Sequence, residues 1–210
     1  MSTKKRSTTK LVQFSILIAI EAIFCFTPLG SLPALGPIVA TLAMIPVVIT
    51  AILLGTKAGT LMGFIAATFS FIVWTFMPPN PLIAFVFTPF YSFGDFHGNF
   101  ASILICFVPR ILTGAVAGIV FKVLKEKLPN KNILTMAIAA ALGSLTNTLL
   151  VMGGIWVFFG SQYSSLAGTA MIAIIGMTIL TSGIPEAVVS AVISPAVCQP
   201  VNKILKRKIR

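Results

Sequence analysis

Three ionisable side chains, Glu21, Arg110 and Glu186, lie inside long apolar stretches of the sequence. A charge in an apolar environment is costly, so each of these residues is a functional candidate and each needs a partner. The guanidinium of Arg110 can hold a carboxylate through two parallel hydrogen bonds, which suits recognition of a small anion. The alternative is a structural ion pair between Arg110 and one of the glutamates, and Glu186 is explained equally well as a contact between helices.

A polar stripe precedes the C-terminal basic tail. Its five members recur every four residues and therefore share one face of a helix: Thr178, Ser182, Glu186, Ser190 and Ser194. We expect this face to meet protein or water and not lipid. Pro185 lies beside Glu186 and is expected to kink the helix and free a backbone carbonyl.

Asn147 is the amide in the preceding apolar stretch, where it shares a helix face with Ala139 and Gly143. Small residues at this spacing allow close approach of a second helix. The amide offers donors and an acceptor, which would suit recognition of hydroxyl or amide groups on a ligand. A hydrogen bond between helices is an equally good explanation.

The first apolar stretch has one charged face and one face of small residues. Glu21 follows Ala19 by two residues, which is a rotation of about 200° around the helix. Its side chain therefore points away from the face formed by Ser15, Ala19 and Ala22. If Glu21 faces the interior, the small residues face lipid or another helix, and small residues allow membrane helices to approach closely. Ordinary packing within one bundle is the alternative.

Membrane-spanning helices must position these side chains. Of the 210 residues, 57% are apolar and 9% are charged, too few polar residues to coat a water-soluble particle. A helix needs about 20 apolar residues to cross the hydrocarbon core. The sequence predicts six spans, at residues 11–27, 37–54, 58–77, 102–124, 133–159 and 167–197. We therefore expect an all-α membrane protein, a single domain over residues 1–210 that forms a compact bundle of six transmembrane helices.

Lysine and arginine predict the orientation, because basic residues resist translocation and remain in the cytoplasm. Fourteen of the 15 lie in the N-terminal segment, the second-to-third and fourth-to-fifth connections, or the C-terminal tail. The predicted outward connections, residues 28–36, 78–101 and 160–166, contain none. Both termini are thus predicted to be cytoplasmic. Arg110 would lie roughly 12 Å below the outer boundary, at 1.5 Å per helical residue.

The connection at residues 78–101 is long and rich in Phe, Tyr, Pro, Asn, Asp and His. Loops of this length in a compact domain are usually functional or disordered, and this one is too aromatic for a solvated linker. We expect a partly inserted outer lid. The alternative is an interfacial belt of aromatic side chains at the level of the lipid headgroups.

Several function classes are disfavoured by the sequence. The net charge of +11 is carried in short clusters without an aromatic-interleaved basic face, so nucleic acid is not an expected partner. No P-loop, HExxH or GxSxG motif and no carboxylate cluster is present, so we expect no catalytic residues, no metal and no cofactor. The three isolated Cys lack metal-site or redox spacing. Without a detectable internal repeat, a stand-alone secondary carrier is less favoured.

Six segments carry a resemblance to a known family: the basic N-terminus leading into SILIAIEA, PIVATLAMIPVVITAILLGTKAGTLMGF, FTPFY, VPRILTGAVAGIVFKVLKEK, GSLTNTLLVMGGIWVFFG and IPEAVVSAVIS. With them, nearly the whole chain resembles the substrate-binding S components of energy-coupling factor (ECF) vitamin transporters. The PRILTG and LTNT segments are most similar to the pantothenate-specific branch.

The resemblance implies a high-affinity binding subunit of an ATP-driven vitamin uptake transporter in the cell membrane. It also implies that a separate transmembrane coupling protein and two ATPases supply the energy, which agrees with the missing P-loop. Members dock on the coupling protein through an AxxxA-like motif on the first helix. Here Ser15 and Ala19 match that motif, with Ser in place of the first Ala, and Ala22 lies on the same face.

Pantothenate carries a carboxylate, hydroxyls and an amide, so Arg110 is expected to pair the carboxylate while Asn147 and the polar stripe contact the rest. Another vitamin, such as riboflavin, folate, cobalamin or a hydroxymethylpyrimidine, is the alternative. A neutral ring would depend more on Trp74, Tyr91 and Trp156. The candidate substrate-binding residues are Arg110, Asn147, Tyr91, Glu186, Glu21 and Trp156.

Overall fold

The structure is a computed structural model that describes residues 2–27, 42–168 and 170–207. Its α-helices are α1 Ser2–Phe26, α2 Met44–Leu54, α3 Thr56–Phe76, α4 Phe100–Lys127, α5 Asn132–Ala167, α6 Met171–Thr178 and α7 Ile184–Arg207. A π-helical segment, Ile179–Gly183, joins α6 to α7. Between α3 and α4 lie a 3-10 helix, Pro81–Val86, and an antiparallel hairpin of β1, Ser92–Phe93, and β2, Phe96–His97.

Five helical stretches of the described residues are long and apolar enough to cross a membrane: Thr8–Phe26, Thr56–Phe76, Phe100–Lys127, Asn132–Ser165 and Met171–Ile204. The predicted all-α membrane class is therefore confirmed. Helix α2 has 11 residues. The start of the second predicted span and the predicted connection at residues 28–36 lie outside the described residues.

The prediction of an outward connection at residues 160–166 is wrong, because these residues form the last turns of α5. Tyr163 packs there in a buried hydrophobic cluster and is only 3% exposed. The helix ends at Gly168, whose φ of 66° lies in the left-handed region that glycine adopts without steric cost. The next helix accordingly begins at Met171 and not at residue 167.

Pro185 does not break the last helical run, which continues from α6 through the π segment into α7. Proline has no backbone N–H, so the carbonyl of Thr181, four residues earlier, lacks its α-helical donor. The π segment immediately before the proline is a one-turn widening that accommodates this change of hydrogen bonding, and such turns are frequent at functional sites.

Four glycines, here called the glycine seam, bring α3 and α4 into backbone contact. An added Cβ at Gly114 would collide with the backbone of Gly59, and one at Gly63 would collide with the backbone of Arg110. An added Cβ at Gly59 would collide with Ala51 of α2 and would also lie 3.0 Å from the carbonyl oxygen of Gly114. Gly118 packs in the same way on Thr56. The GxxxG spacings thus serve close helix packing, and this packing fixes the backbone position of Arg110.

The segment between α3 and α4 is partly inserted into the bundle. Phe85 is fully buried and packs at 5.7 Å, edge to face, against the ring of Phe159. The Ser102 hydroxyl donates a 2.7 Å hydrogen bond to the carbonyl oxygen of Phe85. Thr88 is also buried, and its hydroxyl lies 2.8 Å from that of Thr75 in α3. The 3-10 helix therefore belongs to the outer aromatic core, whereas the hairpin is largely exposed.

Candidate functional site

A cavity of about 410 Å³ lies among the described residues. It is lined by the C-terminal ends of α1 and α3, the start of α2, the 3-10 helix, the middle of α4 and α5, and the α6–α7 run. Small-molecule pockets typically measure roughly 300 to 1,000 Å³. The cavity lies opposite the end of the bundle where Gly118 packs on Thr56, beside Lys57 and Lys122.

Arg110 supplies the cation of this cavity. It lies in α4 and is 8% exposed. Its Nη1 donates a 2.6 Å hydrogen bond to the carbonyl oxygen of Cys106, one turn earlier. The guanidinium carbon is 5.9 Å from the centre of the Phe87 ring, within the range of a cation–π contact. These contacts orient the guanidinium while leaving donors for an anion in the cavity.

Two neutral polar groups beside the cavity have unused hydrogen-bonding capacity. The Asn147 Oδ1 and the Thr178 hydroxyl oxygen are buried and form no hydrogen bond with any described residue. An unsatisfied buried polar atom costs about 1 to 3 kcal/mol. A ligand with hydroxyl and amide groups could therefore gain free energy by bonding to both.

The polar stripe divides at the lower edge of the cavity. Its first three members, Thr178, Ser182 and Glu186, line the cavity. Ser190 and Ser194 continue along α7, fully buried but outside the lining. All five side chains are at most 5% exposed, which confirms that the stripe does not face lipid.

Glu21 is buried but set back from the cavity. It is 0% exposed and does not belong to the lining. Its Oε1 accepts a hydrogen bond from the Cys25 thiol at 3.3 Å, and Cys25 does line the cavity. The sequence singled out Glu21 but missed Cys25, although a spacing of four residues places the two on one helix face.

The aromatic candidates separate into different regions. Trp74 lines the cavity and stacks on Phe87 with ring centres 4.5 Å apart. Trp156 is 55% exposed on the outer surface of α5, and Tyr91 is half-buried in the segment before β1. Neither is among the lining residues. The structure therefore brings Arg110, Asn147 and Glu186 together, but not Tyr91 or Trp156.

The small-residue face of α1 points outward. Ser15 and Ala19 are exposed, Ala22 is half-buried, and Glu21 is turned into the bundle. Large apolar neighbours on the same helix are exposed as well, including Ile16 at 55%. The outward surface of this helix therefore faces lipid or a partner, and small side chains lie at its centre.

Comparisons with known proteins agree with this architecture. The model of the family described as "ECF transporter, substrate-specific component" matches residues 9–198. The chain is 29% identical over 168 residues to the pantothenic acid transporter PanT of Lactococcus lactis subsp. cremoris (strain MG1363), covering 80% of each protein. The solved structure of the S-component for biotin from an ECF-type ABC transporter superposes with a TM-score of 0.57 at 15% identity. The superposition covers 95% of this chain and 93% of the biotin S-component.

Proposed function

Because the chain belongs to the family of substrate-specific components of ECF transporters, we propose that it binds pantothenate in the cavity around Arg110. The relative named as a pantothenic acid transporter supports this ligand, and the cavity supports its chemistry. The observation that carries the proposal is a single buried guanidinium opening on a mostly apolar cavity. Such a site is complementary to a small molecule with one carboxylate.

Three polar side chains of the cavity can form hydrogen bonds with pantothenate. Arg110 pairs the carboxylate, and Asn147 Oδ1 accepts a hydrogen bond from the amide N–H or from a hydroxyl. Thr178, at the end of α6, offers a further hydroxyl. The gem-dimethyl carbon of the ligand packs against the stacked rings of Trp74 and Phe87. Glu186 lies within the lining and contributes to the position of Arg110 or of the ligand hydroxyls.

The membrane arrangement that fits this function has six spans and cytoplasmic termini. Helix α2 lies within the predicted span at residues 37–54, the one predicted span that the five long helices do not include. The basic residues then lie on the cytoplasmic side, and the cavity lies toward the outside, where the vitamin is captured.

The outward face of α1 is the proposed docking site for the transmembrane coupling protein of an ECF module, whose two ATPases would supply the energy. Ser15 and Ala19 are exposed one turn apart, and Ala22 continues the same face. Small residues let another membrane helix approach closely, so van der Waals contact between backbones stabilises the complex.

Replacing Arg110 with Ala tests the ligand assignment. The variant should lose about 2 to 5 kcal/mol of pantothenate binding, because it removes the partner of a desolvated carboxylate. Affinity can be followed by tryptophan fluorescence, since the chain has two Trp and only Trp74 lines the cavity. The signal should persist in Trp156→Phe and disappear in Trp74→Phe.

Unchanged affinity in a folded Arg110→Ala variant would remove Arg110 from the site. If the unaltered protein does not bind pantothenate at all, the pantothenate assignment fails. Native mass spectrometry of the purified protein would then identify a different co-purified vitamin.

A further inference from the structure

A second opening lies at the opposite end of the bundle from the cavity around Arg110. It is a surface cleft of about 540 Å³ between the turn that joins α2 to α3 and the C-terminal end of α4. Its lining shares no residue with the lining of the Arg110 cavity. The proposed pantothenate site therefore leaves this cleft without a role.

The cleft lies where two membrane-spanning helices reach the membrane surface. Helix α3 begins at Thr56 and α4 ends at Lys127, and both helices are long and apolar enough to cross a membrane. Thr56 and residues in the last two turns of α4 belong to the lining. Because spanning helices end near the lipid headgroups, the mouth of the cleft lies at headgroup level, whichever way the chain is oriented.

The floor of the cleft is apolar. Ile52 is 5% exposed and Phe121 is 8% exposed, whereas Leu53 and Leu54 are half-buried. An apolar surface that opens outward beside polar residues is typical of an interaction site. A small soluble anion would leave this floor without a partner, so the occupant that fits it carries an apolar chain.

The rim of the cleft is basic. Lys122 and Lys125 lie three residues apart on one face of α4, and both belong to the lining. The Nζ of Lys125 is 5.4 Å from the centre of the Phe121 ring, which places this ammonium group beside the apolar floor. Glu126 is the one acidic side chain in the described lining, so two lysines against one glutamate leave a net positive charge. Lys57, exposed at the start of α3, adds a further positive charge nearby.

We propose that this cleft binds one phospholipid with an anionic headgroup. The phosphate lies between the ammonium groups of Lys122 and Lys125, and one acyl chain packs on the apolar floor. Basic pockets between membrane helices are typical sites for such headgroups. Charge complementarity excludes a choline lipid as a good occupant, because its cationic group would meet the two lysines. The proposal depends neither on the vitamin that is bound nor on the orientation of the chain.

Native mass spectrometry of the protein in detergent tests the headgroup contact. When phosphatidylglycerol and phosphatidylcholine with the same acyl chains are added in equal amounts, the unaltered protein should retain one phosphatidylglycerol in preference. Replacing both Lys122 and Lys125 with Gln should reduce this retention about 20-fold, since each basic residue beside an anionic lipid contributes about fivefold. Replacing both with Arg keeps the charges and should keep the lipid. An unchanged preference in the double Gln variant would overturn the proposal.

Lys127→Gln combined with Lys131→Gln is the matched control. It removes the same charge from the same end of the bundle, but neither residue belongs to the lining, so phosphatidylglycerol should be retained. Equal losses in the two double Gln variants would mean that lipid is attracted by the basic surface as a whole, which contradicts a site in the cleft. Thermal unfolding checks the folded state, because phosphatidylglycerol should raise the unfolding temperature of the control variant and not that of the Lys122 and Lys125 variant.

Two further measurements test the apolar floor. Leu54→Trp narrows the cleft and leaves both lysines in place, so it should also reduce the retention of phosphatidylglycerol. Glycerophosphoglycerol, which is the headgroup without acyl chains, should not displace the lipid from the unaltered protein. Displacement by this headgroup as effectively as by intact phosphatidylglycerol would show a simple phosphate site and would refute binding of a lipid chain.

Discussion

The helix pair α3 and α4 and the helix pair α5 and α7 pack in opposite ways. Along the glycine seam, backbone meets backbone without side chains between, as at Gly59 and Gly114. Where α5 meets α7 and the π segment before it, Gly183 of the π segment contacts the side chain of Thr148. Buried hydroxyls such as those of Ser144 and Ser190 have no described hydrogen-bond partner there. Helices α3 and α4 are held together by close backbone packing, whereas the interface of α5 and α7 contains polar groups without hydrogen-bond partners among the described residues.

This difference assigns different roles to the two sides of the cavity. Arg110 lies on the glycine seam, so its backbone is positioned before any ligand arrives. Asn147 and Thr178 lie on the other side, where a ligand can satisfy them. In the proposed function, the positioned charge of Arg110 selects the class of ligand, and Asn147 and Thr178 form hydrogen bonds with the rest of the ligand.

The largest effect on stability is expected from Gly63→Ala, which forces a methyl group into the backbone of Arg110. Such overpacking should destabilise the protein by about 1 to 3 kcal/mol and also weaken pantothenate binding, because Arg110 is displaced. Thermal unfolding in detergent and ligand titration measure both. Gly153→Ala in α5 is the control, since no atom lies within 4 Å of its added Cβ. Equal stability of the two variants would mean that the seam is not rigid.

A smaller effect is expected from Asn147→Ala, which removes one wall contact of the ligand. Pantothenate affinity should fall by about 0.5 to 1.5 kcal/mol, the usual net value of a neutral hydrogen bond. Ser190→Ala removes a buried hydroxyl without a described hydrogen-bond partner and outside the lining, so affinity should not change. If Ser190→Ala lost as much affinity as Asn147→Ala, residues outside the lining would matter as much as residues that line the cavity, which would contradict this prediction.

The smallest effect on folding and on ligand affinity is expected from Ala19→Leu on the exposed face of α1. Leucine is as compatible with lipid as alanine, so neither quantity should change. The added bulk should nevertheless prevent co-purification with the coupling protein and stop uptake in cells. Ala173→Leu, also at an exposed position, should leave uptake intact. Normal uptake by Ala19→Leu would place the docking surface elsewhere.

The burial of the charged candidates could be predicted from the sequence, because charges inside apolar runs are rare and must be buried. This reasoning singled out Arg110 and Glu186, which line the cavity, and Glu21, which is buried but set back from it. The spacing of the polar stripe correctly indicated a buried face. The helix that extends through residues 160–166 was missed because its stability depends on Tyr163 packing in a cluster with residues far away in sequence.

Trp156 was a candidate binding residue because of its aromatic type, but its position around the helix would have excluded it. It follows Asn147 by nine residues, which corresponds to a rotation of roughly 180° relative to that side chain. The two therefore cannot face the same cavity. Val151 and Ile155 continue the buried face of α5, whereas Trp156 is turned outward. Trp74 and Phe87 meet across a loop connection, a contact that no local pattern contains.

The π segment at Ile179–Gly183 has a consequence for tolerated sequence length. Residues spaced by four drift by about 40° per step on an ideal α-helix, so Thr178 and Ser194 would diverge by about 160°. A turn containing one extra residue offsets about 100° of that drift and keeps both side chains buried. Deleting one residue, such as Leu180, would let this turn become α-helical while Thr178 and Ser194 keep their relative orientation, whereas inserting a further residue would rotate α6 against α7. This segment should consequently tolerate a one-residue deletion better than an insertion.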